Sequence, residues 1–175
     1  MTAYDPRGTM VLLDGATLAT AKIVADGRNA QNVNAPDRPY YDRALMQDDA
    51  TASMASACAE AGVAGLLGLV WHAKVWDAAD HHLHRDEPDV GDTIEVRRIR
   101  EPDNGLVVRR KDIGMGKTIV VAYPLPESGF AIVDVIGWMA ADDAWDAGDE
   151  YRVETRRVPQ RNIRPMIELM ERGTR

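Results

Sequence analysis

Two acidic residues and an arginine are closely spaced within residues 87–98. Asp89 follows a proline in a predicted turn, and Glu95 comes six residues later in the alternating run 93–97. Alternate residues of a strand point to the same face, so Glu95 and Arg97 are expected side by side. Carboxylate oxygens suit Mg²⁺ or Mn²⁺, and such an ion can hold a phosphate and activate a water molecule for attack. The spacing therefore predicts the chemistry of a metal-dependent nuclease.

Two further acids are candidates for the same site. Asp92 lies three residues before Glu95 and is an alternative metal ligand, while Glu60 lies on a predicted alanine-rich helix over residues 49–77. Ordinary structural interpretations remain open for each acid. A Pro-Asp pair is common in turns, and a single acid on a long helix is usually solvated.

The arrangement resembles the PD-(D/E)XK nuclease superfamily, which includes restriction enzymes, phage exonucleases and Holliday-junction resolvases. Pro88-Asp89, Glu95-x-Arg97 and the preceding helical Glu60 carry this likeness. The chain is also similar to uncharacterised phage proteins over roughly residues 40–170. The shared features are a PDVG…EVR core, a Gly137-Trp138 pair, and a VPQ…RPM…L tail over residues 158–169.

The resemblance implies a Mg²⁺- or Mn²⁺-dependent deoxyribonuclease that acts on DNA in the cytoplasm, which is the host cytoplasm for a viral protein. It implies a homodimer as one form, since many members act as dimers. Glu60, Asp89, Glu95 and Arg97 would be catalytic, and the metal ligands would come from Asp89, Glu95, Asp92 and Glu60. Arg97 stands where the family has a lysine. A guanidinium cannot give up its proton, so we expect Arg97 to stabilise phosphate charge and not to act as a base.

Two non-enzymatic interpretations stay open. The first is a catalytically inactive nuclease-fold protein that binds DNA or a host or phage protein as an accessory or inhibitory factor. Arg97 in the lysine position and the net charge of −7 both favour it. The second is a structural protein of a virion. The sequence does not separate DNA from RNA, or endonuclease from exonuclease activity.

Charge is unevenly distributed along the chain. Residues 1–96 contain 7 Lys/Arg and 15 Asp/Glu, whereas residues 97–175 contain 14 and 13. A basic face for a polyanion could therefore exist on an acidic protein. The alternative is a solvated sheet on which arginines and acids alternate.

Two other motifs suggest binding sites. Four histidines fall within 13 residues, and with nearby carboxylates they could bind zinc or manganese, shuttle protons, or simply be solvated loop residues. The segment from Gly114 to Thr118 resembles a phosphate-binding loop. However, Lys111 stands where the first glycine is required, and a strand-like sequence follows, so we predict a glycine turn. The histidines are His72, His81, His82 and His84.

The remaining composition predicts a soluble protein. Cys58 is the single cysteine, which excludes an internal disulfide and a multi-cysteine zinc site. The N-terminus lacks the basic start and apolar run of a signal peptide. The apolar stretch 63–71 is too short to cross a bilayer, so we expect no membrane association.

We expect an α/β fold with a restriction-endonuclease-like core. In this fold a central mixed β-sheet is flanked by helices, and one long buried Ala/Gly-rich helix precedes a strand meander. Glycines at 62, 65 and 68 would let this helix, capped near Asp48, pack closely on the sheet. The chain would form a single domain over residues 1–175. Residues 1–48 would give a loose leader, an N-terminal helix and a connector, and residues 49–175 the nuclease-like core. Strands are predicted over residues 93–98, 105–111, 117–123 and 130–138, with an edge strand over 151–157.

Overall fold

The computed structural model describes residues 7–33, 49–76, 80–84 and 86–173. Most of the predicted connector and the proposed cap Asp48 lie outside these ranges. The helices are α1 (Gly15–Val33), α2 (Asp49–Leu67), α3 (His81–His84), α4 (Ala141–Ala147) and α5 (Met166–Gly173). The strands are β1 (Thr9–Leu12), β2 (Ile94–Arg98), β3 (Leu106–Arg109), β4 (Thr118–Pro124), β5 (Ile132–Ala140), β6 (Asp149–Arg152) and β7 (Thr155–Val158).

The strands form two sheets, and the larger one is mixed. Its order is β1-β5-β4-β2, with β2 parallel to β4 and the other pairs antiparallel. The smaller sheet, β3-β7-β6, is antiparallel. The mixed α/β class with a central mixed sheet is therefore confirmed. The predicted meander is wrong, because β3 leaves its sequence neighbours and pairs with β7.

Two hydrophobic cores lie on opposite faces of the mixed sheet. One core joins α1 and α2 to the sheet through residues such as Val24, Val63 and Val120. The other joins the sheet to β3, β7 and α4 through residues such as Ile119 and Leu106. This gives a helical layer, the mixed sheet and the smaller sheet in succession, with β2 at an open edge.

Helix α2 is the long buried helix that the sequence predicts. It is shorter than expected, because Gly68 adopts a left-handed conformation (φ 65°) that ends the helix ten residues early. Of its glycines, Gly62 packs tightly, since an added Cβ would lie 3.0 Å from Val133 of β5. At Gly65 an added Cβ would meet nothing within 4 Å. Close packing on the sheet thus depends on Gly62.

The length and composition of α2 also match a membrane span, although 56% of its 18-residue window is buried inside the protein. Ten of its residues, from Ser53 to Ala64, are buried against α1 and the mixed sheet. This is the burial pattern of the core helix of a soluble protein.

Two short β elements differ from their predictions. Residues 1–10 were expected to be a loose leader, but residues 9–12 form the edge strand β1 and pair with β5. The single strand predicted over 151–157 is a hairpin, in which Glu154 (φ 54°) lies between β6 and β7. The N-terminal segment is therefore part of the main sheet, so it packs in the same core as α2.

Candidate functional site

A cavity of about 620 Å³ lies at the open edge of β2 and brings together the acids predicted from the sequence. Glu60, Asp89, Glu95 and Arg97 all line it. Asp92 does not; it is exposed in the turn before β2. Helices α1 and α2, the segments before β2, and the end of β3 supply the remaining walls.

Asp89 is fixed against the start of β2 by backbone hydrogen bonds. Its N–H donates to the carbonyl of Ile94 (2.9 Å), and its Oδ2 accepts from the N–H of Val96 (2.8 Å). Its Oδ1 accepts no hydrogen bond from the described residues. Burial, followed by repulsion from Glu60 and Glu95, raises the pKa of Asp89 to about 7. The carboxylate thus forms no ion pair with a described cation, although the charge of Arg97 lowers its pKa in part.

Glu95 projects from β2 and is only 7% exposed. Its carboxylate accepts from the guanidinium of Arg97, as the alternation of the strand predicts, and from Lys117 Nζ (3.2 Å). Burial would raise the pKa of Glu95, but the opposing charges of Arg97, Lys111 and Lys117 hold it below its usual value. Glu95 is therefore ionised at neutral pH.

Arg97 is held between two acids and does not project freely into the cavity. Besides Glu95, its Nη2 donates to Oδ2 of the fully buried Asp112 (2.7 Å). The same Oδ2 accepts from the backbone N–H of Arg109 (3.0 Å). Burial alone would lower the pKa of Arg97, but the two acids raise it, so the guanidinium stays charged. This placement orients Glu95.

Glu60 reaches the cavity from α2 and is already fully paired. Its two oxygens accept from both terminal nitrogens of Arg28 on α1, at 2.7 and 2.8 Å. Trp71 Nε1 donates to Oε2 at 3.0 Å. A metal ion could use this carboxylate only if Arg28 moved away.

The histidines with described side chains do not form a metal cluster. His72 bonds to the carbonyl oxygen of Gly91 (2.7 Å). His84 stacks on Trp76, with ring centroids 4.1 Å apart, and pairs with Glu87 (2.8 Å). Hydrogen bonds from Lys74 and His84 lower the pKa of Glu87 to about 2. The side chains of His81 and His82 lie outside the described set.

Several cavity residues could not be recognised from the sequence. Arg28 and Lys74 lie far from Asp89 along the chain, and nothing in their local pattern marks them. Lys117 belongs to the glycine segment. It is 4% exposed and donates a hydrogen bond to Glu95. Arg109 ends β3, and Lys111 lies two residues later. Their spacing in the sequence was a usable but weak indication that both line the cavity.

The donor set fits a divalent ion only in part. Asp89 offers an oxygen without a hydrogen-bond donor, and Glu95 is ionised beside it, which suits a hard cation. Across residues 7–33, 49–76, 80–84 and 86–173, however, no three His, Cys, Asp or Glu side chains are grouped closely enough to hold a metal. Asp89 thus has an oxygen available for a metal ion, whereas Glu95 would have to give up a hydrogen bond from Arg97 or Lys117. Glu60 would have to give up those from Arg28.

The mixed-charge cavity is the main functional feature that the geometry identifies. Comparison of the chain with protein-family models, with curated proteins and with solved structures gives no match.

Proposed function

We propose that this protein is a metal-dependent nuclease of the PD-(D/E)XK type, with a restriction-endonuclease-like core, which hydrolyses phosphodiester bonds in DNA. The observation that carries the proposal is the meeting of Asp89 and Glu95 in one cavity whose lining also contains cations from α1, β2 and β3. The sequence spacing predicted this pair before any tertiary contact was considered. Burial, together with repulsion from Glu60 and Glu95, raises the pKa of Asp89 to about 7, and perturbed acids of this kind are typical of functional sites.

Each of the site residues has a distinct role in the proposed reaction. Asp89 and Glu95 would hold Mg²⁺ or Mn²⁺, and the bound ion would neutralise phosphate charge and activate a water molecule for attack. Arg97 and Lys117 keep Glu95 ionised and oriented. Arg28 positions Glu60 and keeps its negative charge balanced beside Asp89.

A second candidate function is nucleic-acid or protein binding without cleavage. Two observations favour it: Glu60 is fully occupied by Arg28 and Trp71, and both oxygens of Glu95 already accept from cations. An acidic site neutralised by the protein itself has less need of a metal ion. Under this interpretation the chain would act as an accessory or inhibitory factor with a nuclease-like fold.

The test of the proposal is cleavage by Glu95→Gln beside the wild type. Supercoiled, linear, single-stranded and branched DNA would be incubated with Mg²⁺, Mn²⁺ or EDTA. We expect metal-dependent cleavage by the wild type and a loss of at least about a hundredfold in the variant, because one of two metal-binding charges is gone. Glu101→Gln removes an exposed acid outside the cavity and should cleave normally.

Two outcomes would contradict this proposal, the first its site and the second its activity. Full activity in a folded Glu95→Gln protein would remove Glu95 from the site. A folded wild type that cuts no DNA under any metal, and that binds no divalent ion by calorimetry, would select the binding function instead.

A further inference from the structure

Most charged side chains of the cavity neutralise one another. Arg28 pairs with Glu60, Lys74 with Glu87 (2.7 Å), and Arg97 with Glu95 and Asp112. Arg109 differs, because its guanidinium forms no ion pair with a described residue although it lines the same cavity. Asp89 is its acidic counterpart, an acid without a paired cation. Arg109 and Asp89 thus line the same cavity, and neither forms an ion pair with an oppositely charged side chain of the described residues.

Arg109 is well placed to present its side chain. It is the last residue of β3, and its backbone N–H donates to the fully buried Asp112, which fixes the end of the strand. The side chain itself is exposed at the cavity wall. Lys111 lines the same wall two residues later, with its Nζ 3.7 Å from Asp112 Oδ1. Arg109 thus comes from the smaller sheet and Lys111 from the short 3-10 turn after it, and both line the cavity with Glu95 of the larger sheet.

We propose that Arg109, with Lys111 beside it, binds a backbone phosphate of the nucleic-acid substrate next to Asp89 and Glu95. This inference rests on the proposed function and adds the residues that position its substrate. A guanidinium offers a planar fork of donors that matches two phosphate oxygens. An anion held there would pair with Arg109, whose guanidinium forms no ion pair with a described residue.

The surroundings of both cations support this role. Partial desolvation in the cavity and the positive charge of Arg97 lower the pKa of Arg109. Desolvation also lowers the pKa of Lys111, against the opposing effect of Glu95. An anion bound beside the two groups would stabilise their charged forms against this desolvation.

The test measures binding without metal, so that it does not depend on cleavage. Fluorescently labelled single-stranded and duplex DNA would be titrated with protein in EDTA at several salt concentrations. We expect Arg109→Gln to weaken DNA binding by about tenfold to a hundredfold, because the charged hydrogen bonds to phosphate are lost. The salt dependence should also fall by about one counterion. Arg109→Lys keeps the charge but not the planar fork of donors. Its affinity for DNA should lie between those of the wild type and Arg109→Gln.

Arg100→Gln is the matched control, because it removes the same charge from an exposed arginine that does not line the cavity. It should bind nearly as well as the wild type. Thermal unfolding of Arg109→Gln should be unchanged, since the relief of repulsion with Arg97 is offset by the loss of attraction to nearby acids such as Asp112 and Glu95.

Equal binding by the Arg109→Gln and Arg100→Gln proteins would overturn the assignment, as would a wild type that binds neither DNA in EDTA. The nuclease proposal would fail separately. Binding that depends on Arg109 in a protein that never cuts DNA would retain this inference and reject the hydrolytic function.

Discussion

At the scale of single residues, the ionisation of Asp89 couples the site to the stability of the fold. Burial and two neighbouring acids raise its pKa from 3.8 to about 7. Between these values the folded protein binds a proton that the unfolded chain has released. The stability that this proton contributes is present at low pH and is lost as the pH rises towards 7.

Asp89→Asn should remove this pH dependence. The amide oxygen can still accept from the N–H of Val96, and the repulsion from Glu60 and Glu95 disappears. The stability of Asp89→Asn, compared with that of the wild type, should therefore be about 2 kcal/mol greater at pH 8 than at pH 5. Urea denaturation at both pH values measures the difference.

Asp92→Asn is the control, because it makes the same chemical change in the same turn at an exposed site. Its stability should follow that of the wild type at both pH values. If Asp89→Asn also ran parallel to the wild type, Asp89 would be an ordinary ionised turn residue without stored repulsion.

At the scale of elements, α2 brings Glu60 to the cavity, and its contact with β5 sets how close it lies. The sequence predicted three glycines at this contact, but only Gly62 faces a close neighbour. A Cβ on Gly62 would lie 3.0–3.1 Å from three side-chain atoms of the fully buried Val133. The same Cβ on Gly65 would be in open space.

Alanine at these two glycines should therefore have opposite consequences. Gly65→Ala should stabilise the protein by about 0.5–1 kcal/mol, because alanine loses less backbone entropy in a helix. Gly62→Ala has the same helical advantage, but it must displace Val133 within a packed core, and we expect a net loss of about 1 kcal/mol or more. Chemical denaturation of the two variants provides the comparison. Equal gains would mean that α2 is free to move away from the sheet.

The elements show which parts of the fold the sequence could predict. Apolar runs and alternation identified β2, β4 and β5, because these signals are local. Helix α2 was predicted ten residues too long, since an alanine-rich pattern does not show that Gly68 turns left-handed. Strand pairing was missed, because the parallel pairing of β2 with β4 depends on contacts distant in sequence.

At the scale of the whole molecule, the site forms where three layers meet. Asp89, Glu95 and Arg97 were predictable because they are near neighbours on one strand and its preceding turn. Arg28 and Arg109 were not, because one arrives with α1 and the other with the smaller sheet. Arg28 and Arg109 are thus brought to the cavity by tertiary structure, whereas Asp89, Glu95 and Arg97 lie close together in the sequence.

Asp112 is the residue that joins the two sheets at this site. It is fully buried after β3, and it accepts from Arg97 of β2 and from the backbone of Arg109. Asp112→Ala would leave the buried side chain of Arg97 with one acid in place of two and the N–H of Arg109 without its acceptor. Such a loss destabilises a protein by about 3–5 kcal/mol.

Urea denaturation of Asp112→Ala tests whether the sheets depend on this contact. Asp103→Ala serves as the reference, because Asp103 pairs with Arg7 on the surface, where its side chain is 76% exposed. Its removal should cost no more than about 1 kcal/mol. If the two variants lost equal stability, the junction of the sheets would be held by apolar packing alone, through residues such as Ile119 and Leu106. A much larger loss for Asp112→Ala would show that the charged network orienting Glu95 also holds the two sheets together.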